Sequence, residues 1–526
     1  MKKLIKKIIL ALSSACLAFI LSNGQNIIYI GITSILAFIL MFYITRKEKF
    51  IFTKKNILIS LLPSLYLTMY YVYFFKEKAT DLLGPILGFN FIKHHNVFII
   101  GIFGVLSFIS ILYFIYKFVE IILPKIIDFF KNMKKEEKIF LSSSLIIGTI
   151  IVIFISFKTC VFINPYISNK KYVSDVIFTT DSTILVSGDS FLKISHPEND
   201  IRQPLFGLFA MPFSIVAHLI SDGLMFIVDR NIVYPVVLTI LQFGINAIGI
   251  ILLSRLLKLK GKNAVYFYLL LGLSFPYLLF SFTVEQYTIS VFYLILFIYY
   301  FFTEKKTNYL YVASTGTLLT SGILFSLISK ARDFKGWFKD LWKCFIVFVS
   351  FTVISGQLPQ FFSAGDTIGR LSGNFATHIP FQDKIFQFTY FIRSIFIAPN
   401  GILNGDLYRM PIANKIEIIG IIILALCILS FILNRKEKIA LLSIGWIVFS
   451  FLLLCIAGWG TTENGLILYS LYFAFAFFIL YYLLIKKLFK NRIFDILMIT
   501  SITVVTYFSF TEIIDIIKFG ITYFKM

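Results

Sequence analysis

Long apolar runs separated by short polar segments make up most of the chain. Many of these runs are as long as a helix must be to cross the hydrocarbon core of a bilayer. The pattern predicts an all-α polytopic membrane protein with about 13 transmembrane helices. We place them at residues 8 to 22, 27 to 44, 56 to 75, 97 to 119, 139 to 157, 232 to 254, 264 to 281, 286 to 302, 343 to 360, 415 to 433, 438 to 457, 464 to 485 and 493 to 510.

Basic residues set the predicted orientation of these helices. Lys and Arg are concentrated in the short segments that would face the cytoplasm, beginning with MKKLIKK at the N-terminus. The positive-inside rule then predicts a cytoplasmic N-terminus and an outside C-terminus, in the plasma membrane. The same clustering accounts for the net charge of +22, so nucleic acid is not a predicted partner.

The first apolar run also resembles a signal peptide, because it follows a basic start. The stretch closest to a lipoprotein cleavage site is Ser13-Ser14-Ala15-Cys16, and the apolar run continues past it. We therefore interpret this run as an uncleaved first helix.

Two further apolar runs do not fit the charge pattern as spans. If residues 205 to 220 crossed the membrane, the basic cluster RLLKLKGK after the next helix would face outside. We therefore predict that this run lies along the outer interface and bends at Pro212. Residues 309 to 329 have basic residues on both sides, which predicts a segment that enters from inside, breaks at Gly316 or at 320 to 322, and returns.

Two long polar segments outside the membrane organise the predicted chain, because both are too long for simple connectors. Residues 1 to 138 form an N-terminal four-helix membrane module, which ends at the linker KNMKKEEK. Residues 139 to 335 form a core that contains the first outside loop, 158 to 231. Residues 336 to 526 form a C-terminal transmembrane region with the second outside loop, 361 to 414.

Ionisable side chains gather in the first outside loop. They are Asp175, Asp181, Asp189, His196, Glu198, Asp200 and Arg202. A carboxylate there could accept the proton of an attacking hydroxyl, and a basic side chain could stabilise a departing phosphate. The alternative is a solvated loop whose acidic residues only form turns.

The stretch HPENDIRQPLFGLFAMPF completes an order of parts along the chain. A helix precedes the acidic loop; a charged residue with Pro-Leu-aromatic, an apolar segment and a helix preceded by Arg230 follow. This order resembles the GT-C superfamily of membrane glycosyltransferases, above all protein O-mannosyltransferases and aminoarabinose transferases. The resemblance covers residues 139 to 335, and more loosely 343 to 510. The sequence Arg202-Gln203-Pro204-Leu205-Phe206 stands in place of the family's K/H-P-P-L-like element.

The resemblance implies an inverting transfer of a sugar from a polyprenyl-phosphate donor to an extracytoplasmic hydroxyl of a glycan, lipid or protein. The family's catalytic acid corresponds best to Asp181, with Asp189 and Asp175 as rivals. The chain lacks the Asp-Glu pair of the O-mannosyltransferases and the Glu-x-Arg-Tyr of the aminoarabinose transferases. The acceptor class therefore stays open.

Substrate-binding side chains are predicted in the first loop and at other outer helix ends. The candidates are His196, Asp200, Arg202, Glu285, Arg393 and Glu463. The resemblance places an acidic residue such as Glu285 near the site and makes the region of Glu463 a rim of the lipid-phosphate pocket. Arg393 could bind the lipid phosphate, and contact with lipid headgroups is its alternative.

No cofactor is predicted with certainty. A divalent cation could bind His196 and Asp200, but no two histidines in this loop share the spacing of a metal site. The five cysteines show no C-x-x-C spacing, so neither a metal cluster nor a disulfide framework is indicated.

Two other functions fit a polytopic chain with large outside loops. A polysaccharide polymerase usually relies on arginine-rich later loops, and a lipid or glycolipid transporter (flippase) should place charges inside the spans near the midplane. Nearly all the charges here fall at span ends or in outside loops. This distribution favours the enzyme over the transporter.

Overall fold

The computed structural model describes the chain except residues 1, 23 to 25, 49 to 51, 169 to 175, 194 to 201, 304 to 306, 328 to 332, 363 to 368, 370 to 372, 374, 375, 377 and 378. The side chains of residues 2, 3, 47, 86, 87, 91, 325 to 327 and 462 to 464 also lie outside the described part. Within it, the chain is largely helical.

The α-helices follow one another along the chain. They are α1 (Lys2–Leu21), α2 (Ile27–Ile44), α3 (Lys54–Leu87), α4 (Phe89–Ile121), α5 (Leu123–Lys131), α6 (Lys135–Ser156), α7 (Ser182–Ser187), α8 (Phe206–Leu224), α9 (Arg230–Leu256), α10 (Lys262–Gly272), α11 (Phe275–Phe282), α12 (Tyr287–Thr303), α13 (Asn308–Thr317), α14 (Phe334–Ile354), α15 (Pro359–Phe362), α16 (Phe381–Phe396), α17 (Ile418–Leu433), α18 (Lys438–Ser450), α19 (Ser470–Leu488) and α20 (Asn491–Tyr523).

Shorter elements occur between these helices. The 3-10 helices are Thr45–Lys47, Pro165–Ile167, Leu319–Leu327 and Thr462–Tyr469, and Phe451–Ile456 is a π-helical segment. Strands β1 (Ile402–Asn404) and β2 (Leu407–Arg409) form an antiparallel hairpin in the second predicted outside loop. The hairpin is an addition to the predicted all-α fold.

Ten helices of the described chain are long and apolar enough to cross a membrane, or eleven if one bent pair is a single span. They confirm the predicted class, a helical multi-pass membrane protein. The predicted spans 286 to 302 and 415 to 433 correspond to shorter apolar helices, α12 and α17. Length and composition identify ten or eleven spans among the described residues. The total of thirteen therefore stays a prediction.

The predicted span 264 to 281 is broken in two. Helices α10 and α11 meet at an angle of 64°. Pro276 lies in the first turn of α11, where its ring cannot continue the preceding helix. The Ser274 hydroxyl donates to the Leu271 carbonyl at 2.7 Å, so a side chain satisfies one main-chain group freed at the break.

The described chain divides into two compact units, each assembled from separated segments. Unit 1 comprises residues 1 to 133, 192 to 211 and 307 to 367, and unit 2 comprises residues 134 to 191, 212 to 306 and 368 to 526. The predicted division into three consecutive domains stays a prediction.

In unit 1, the predicted break in 309 to 329 falls directly after Thr317, where α13 ends. The main chain around the Pro-Leu element satisfies groups on both sides of the break. Leu205 N–H donates to the Gly316 carbonyl at 2.8 Å, and Leu319 N–H donates to the Arg202 carbonyl at 2.9 Å. A Cβ on Gly316 would lie 2.9 Å from the Leu205 Cβ, so glycine permits this close approach.

Unit 2 is built around α19, whose side chains are almost all buried. A helix that is apolar all round is typical of the centre of a bundle. Helices α6 and α9 are joined by a buried ion pair in which the Arg255 guanidinium donates to both Glu137 carboxylate oxygens, at 2.8 and 2.5 Å. Two parallel donors fix the register of this helix pair.

Helix α8 is continuous through Pro212. Because it is also long and apolar enough to cross a membrane, its predicted position along the outer interface stays a prediction.

Candidate active site

A strained turn stands directly before Asp181 in unit 2. Phe178 and Thr179 have φ angles of 47° and 64°, a left-handed conformation that side chains other than glycine rarely adopt. Such residues cost about 1 to 3 kcal/mol each and persist only where the surrounding structure holds them. They occur preferentially at functional sites, so the contacts that hold this turn identify the candidate site.

The second predicted outside loop holds the turn from one side. Tyr408 of strand β2 donates its N–H to the Val176 carbonyl at 2.9 Å, and its own carbonyl accepts from Phe178 N–H at 2.8 Å. The two aromatic rings meet edge to face with centroids 5.4 Å apart. The hairpin thus adds main-chain pairing and ring contact to the segment that leads to Asp181.

A buried carboxylate holds the turn from another side. Glu285 is 1% exposed, and its Oε1 accepts the main-chain N–H of Asp181 at 2.5 Å. Its Oε2 accepts the N–H of Gln286 at 3.2 Å, and its own N–H donates to Gln242 Oε1 at 3.3 Å. The structure therefore brings together two predicted site residues, Asp181 and Glu285, that are far apart in sequence.

Gln242 ties this carboxylate to the broken helix. Its Nε2 donates to the Phe280 carbonyl at 2.8 Å and to the Thr283 carbonyl at 2.7 Å. Both carbonyls lie at the C-terminal end of α11, where the helix leaves main-chain acceptors unused. The break between α10 and α11 is therefore followed by a segment whose polar groups are fixed from α9.

A third segment approaches the turn at Thr179. A Cβ added to Gly465 would lie 3.1 Å from Thr179 Oγ1. Gly465 belongs to the 3-10 helix that contains Glu463, whose side chain lies outside the described part. Gly458, before this helix, has the Lys384 ammonium beside it: an added Cβ there would be 2.7 Å from Nζ. The region that the resemblance predicted as a rim therefore meets the Asp181 turn through Gly465.

Asp189, beyond the C-terminal end of α7, has a different environment. Its Oδ1 lies 3.0 Å from His218 Nε2 on α8 and accepts from the Tyr234 hydroxyl on α9 at 2.9 Å. The Arg230 Nη2 lies 2.7 Å from His218 Nδ1. Because arginine only donates, Nδ1 is the acceptor and Nε2 carries the proton that His218 donates to Asp189. This arrangement fixes the histidine tautomer and the carboxylate together.

The Asp189 cluster extends to the end of α8 and the start of α9. Arg230 Nε pairs with Asp222 at 2.7 Å, and the Ser214 and Tyr234 hydroxyls are 3.0 Å apart. His218 is 2% exposed and Asp189 17% exposed. His218 and Tyr234 were not predicted as site residues, because the sequence does not show which polar residues of α8 and α9 meet the loop.

Glu512 on α20 is a second buried carboxylate that was not predicted. It is 4% exposed, and its Oε1 accepts from Gly401 N–H at 2.9 Å and from the Tyr408 hydroxyl at 3.0 Å. Burial and the nearby Glu512 raise the pKa of Tyr408, so this hydroxyl stays protonated and donates. Glu512 therefore anchors the hairpin that pairs with the Asp181 turn.

The remaining predicted residues, which are the substrate-binding candidates and the catalytic rival Asp175, fall into three groups. Arg393 on α16 is half-buried, with its guanidinium carbon 5.1 Å from the centroid of the Tyr390 ring. Burial raises the pKa of Tyr390, while Arg393 opposes that rise. Arg202 belongs to unit 1, where its carbonyl accepts from Leu319 N–H. Asp175, His196 and Asp200 lie outside the described residues.

Metal ligands do not cluster in the part of the chain that the structure describes. No group of three or more His, Cys, Asp or Glu side chains there could hold an ion. The pair predicted for a divalent cation, His196 and Asp200, lies outside that part.

The arrangement around Asp181 can support proton transfer at a fixed position. Its carboxylate follows a turn held by Tyr408, Glu285 and Gly465, so the main chain beneath it is fixed by three different segments. Lys384 supplies a positive charge beside Gly458, which precedes the 3-10 helix whose Gly465 approaches Thr179. No protein-family model, curated protein or solved structure matches this chain.

Proposed function

We propose that this chain is a membrane glycosyltransferase of GT-C type. It moves a sugar from a polyprenyl-phosphate donor to an acceptor hydroxyl on the extracytoplasmic side of the plasma membrane. The observation that carries the proposal is the strained turn at Phe178 and Thr179, which is held by the hairpin and by Glu285 and leads directly to Asp181. Such strain clusters at active sites; Asp189 also has it, with a φ of 50°, so the strain marks this loop and not one acid.

In the proposed reaction, Asp181 is the general base. The acceptor hydroxyl oxygen attacks the anomeric carbon, and its proton passes to the Asp181 carboxylate. The bond between the anomeric carbon and the phosphate oxygen breaks, and its electron pair leaves with the polyprenyl phosphate. Attack opposite the leaving group inverts the anomeric configuration.

Glu285 acts as a positioning residue in this mechanism. It binds the main-chain N–H of Asp181 and therefore controls where the carboxylate stands. An error of about 1 Å at a reacting group can cost about a hundredfold in rate, so a buried acceptor at this position supports catalysis without touching substrate.

We assign Asp181 rather than Asp189 as the base. The Asp189 carboxylate binds His218 and Tyr234, which fits a role in joining the loop to α8 and α9. Asp175 remains a rival by sequence alone, because it lies outside the described residues.

Positive side chains of α16 are the candidates for binding the departing phosphate. Lys384 lies beside Gly458, close in sequence to the turn that meets Thr179, and Arg393 follows on the same helix. A cation near the leaving oxygen would stabilise the charge that develops there. His196, Asp200, Arg202 and Glu463 stay predictions for acceptor or donor binding.

Transfer in nanodiscs tests this function. Purified protein is mixed with radiolabelled polyprenyl-phosphate hexoses and pentoses and a cell-envelope extract as acceptor, and release of polyprenyl phosphate is measured. We expect Asp181→Asn to lower the rate about 10² to 10⁴-fold, the usual contribution of a general base. Asp128→Asn, on the exposed face of α5, is the matched control and should be unaffected.

Two results would count against the proposal. Unchanged turnover in Asp181→Asn would remove this residue from the role. Absence of release from every donor, together with no polyprenyl-phosphate glycan among the co-purified lipids by mass spectrometry, would remove the transferase itself. A flippase would translocate the labelled donor intact, which a reduction assay on a fluorescent donor would detect.

A further inference from the structure

The turn between α8 and α9 exposes a continuous apolar surface. Residues 224 to 228 read Leu-Met-Phe-Ile-Val, and they are exposed by 41%, 51%, 86%, 80% and 42% in that order. In water, large apolar side chains exposed together are unfavourable, and they mark a surface that another phase or molecule covers.

This surface continues a stripe along α8. Val216 and Ile220 are each 42% exposed and precede Leu224 at intervals of four residues, so the three side chains lie on one face. The helices on both sides, α8 and α9, are long and apolar enough to cross a membrane. The tip therefore joins two helix ends of the kind that meet a membrane surface.

The main chain of the tip is suited to an environment with little water. The N–H groups of Ile227 and Val228 both donate to the Leu224 carbonyl, at 2.9 and 3.1 Å. The Asp229 carboxylate accepts from Asn231 N–H at 2.8 Å and caps α9. These bonds satisfy the N–H groups of residues 227, 228 and 231 without solvent, which suits an environment with little water.

Charged residues lie where α8 and α9 meet the apolar tip. Arg230 pairs with Asp222 across the two helices at 2.7 Å and also bonds His218, which binds Asp189. Charged residues directly beside an apolar tip are typical of a segment that places its charges at the headgroup level. The same bonds connect the tip to the loop that carries the two acids.

We propose that residues 224 to 228 are a membrane anchor, which inserts Phe226 and Ile227 at the boundary between the headgroups and acyl chains of one leaflet. Through Arg230 and His218, the Asp222–Arg230 pair links this tip to Asp189. The occupant is bulk bilayer lipid, because the exposed face of α8 at Val216 and Ile220 reaches the tip at Leu224. The inference does not depend on transferase activity.

Spin-label accessibility in nanodiscs tests the anchor. Cys160, Cys344, Cys427 and Cys455 are buried, so a Cys16→Ser background allows labelling of introduced cysteines. We compare Phe226→Cys with two controls in nanodiscs of phosphatidylcholine and phosphatidylglycerol. Ile147→Cys lies on the exposed face of the apolar helix α6, and Asn404→Cys lies in the exposed hairpin. Phe226 makes little packing, so its substitution should leave the fold intact.

We expect the label at residue 226 to collide several-fold more often with oxygen than with a water-soluble nickel chelate, as at residue 147. Residue 404 should show the reverse. Adding Ile227→Asp should move the ratio at residue 226 towards that of residue 404, because a carboxylate resists insertion.

Two outcomes would overturn the proposal. Nickel accessibility at residue 226 equal to that at residue 404 would show a tip in water. Low accessibility to both reagents would show a tip covered by protein. In that case a repeat with one copy per nanodisc would distinguish a second copy from a segment of the same chain. Because the nanodiscs contain no polyprenyl lipid, oxygen accessibility there identifies bulk lipid as the occupant.

Discussion

Asp181 and Asp189 flank the same short helix, α7, but the protein holds them in different ways. Asp181 is fixed through its main chain, whose N–H binds the buried Glu285. Asp189 is fixed through its carboxylate, which binds His218 and Tyr234. One arrangement places a side chain by holding the backbone beneath it, and the other uses the side chain itself as the connection.

The contacts that hold the two segments differ, so each can be changed without replacing the acid itself. The Asp181 turn is held by Tyr408 and by Glu285, whereas the loop at Asp189 is joined to two helices by His218 and Tyr234. The Asp189 carboxylate would lose its bonds to His218 and Tyr234 if it bound a substrate instead. A structural role, in which it keeps these two partners, therefore fits Asp189 better. The two acids can therefore be tested against each other by replacing what holds each one.

The largest effect is expected at Glu285. Glu285→Ala removes the acceptor of two main-chain N–H groups, those of Asp181 and Gln286. A buried group left unsatisfied costs about 1 to 3 kcal/mol, so the free energy of local opening should fall by about 2 to 6 kcal/mol. Hydrogen exchange measured by mass spectrometry across residues 178 to 187 would report the loss of protection.

The control for this prediction is Glu417→Ala. Glu417 is half-buried before α17, outside the Asp181 turn. If both variants left protection in residues 178 to 187 unchanged, Glu285 would not hold the turn. Protection lost together with transfer activity would support its positioning role, and protection lost alone would separate the turn from catalysis.

A smaller effect is expected from loosening Asp189. Tyr234→Phe and His218→Ala each remove one donor to its Oδ1, and hydrogen bonds to a charged group contribute about 1.5 to 3 kcal/mol. Because both donors bind one atom, the two changes should not add in a double-mutant cycle. Hydrogen exchange of residues 188 to 191 measures the coupling.

The transfer rates of Tyr234→Phe and His218→Ala test whether Asp189 has a structural role. Loss of protection around Asp189 with less than a tenfold loss of turnover would confirm that this acid connects helices. A loss as large as that of Asp181→Asn would instead exchange the roles of the two acids. Ser214→Ala, which removes the hydroxyl next to Tyr234 but none next to Asp189, is the matched control.

The hydrogen bond from Tyr408 to Glu512 predicts that the β-hairpin depends on pH. The folded protein raises the pKa of Tyr408 above its ordinary value of about 10. The stability from its neutral hydroxyl is therefore fully present below about pH 10 and is lost as the pH rises towards the folded value. A spin label at residue 404 should become more mobile above about pH 10 in the parent chain, but show less dependence on pH in Tyr408→Phe.

At neutral pH, Tyr408→Phe should weaken the hairpin by only about 1 kcal/mol, because Gly401 N–H still binds Glu512. Tyr507→Phe, whose ring is exposed, is the control. Equal pH dependence in all three proteins would show that Tyr408 does not anchor the hairpin.

The sequence singled out individual residues but not their partners. Asp181 was predicted from its place near the start of the first loop and Glu285 from its position at a helix end, and their roles stay predictions. Their hydrogen bond joins two segments 104 residues apart, so it depends on how the helices pack. Glu512 and Tyr234 had no distinguishing pattern, because polar residues within apolar helices are usually satisfied core residues.

In the fold, too, some features follow from the sequence and others do not. Apolar run length is enough to predict a helical multi-pass protein, since crossing a bilayer requires that length. Residues 264 to 281 are predicted as one span because hydropathy averages over Ser274 and Pro276, although a proline disfavours helix in the residue before it. The hairpin at 402 to 409 is shorter than any periodic pattern can identify, and it is the element that pairs with the Asp181 turn.

The smallest effect on stability, and the most direct test of the strained turn, is expected from Thr179→Gly. Glycine adopts the φ of 64° without strain, which favours the folded state. The change also removes the Oγ1 hydroxyl that donates to the Phe178 carbonyl at 2.6 Å, and it makes the unfolded chain more flexible; both effects disfavour the folded state. The favourable and unfavourable effects nearly cancel, so the protection of residues 176 to 190 should change by less than about 1 kcal/mol. Asn491→Gly, at a φ of 52° in the first residue of α20, is the matched control. If the strain serves to hold Asp181 for proton transfer, Thr179→Gly should slow transfer at nearly constant protection, whereas Asn491→Gly should change neither. Equal transfer rates in both variants would show that the strain is only a consequence of how the hairpin and Glu285 pack.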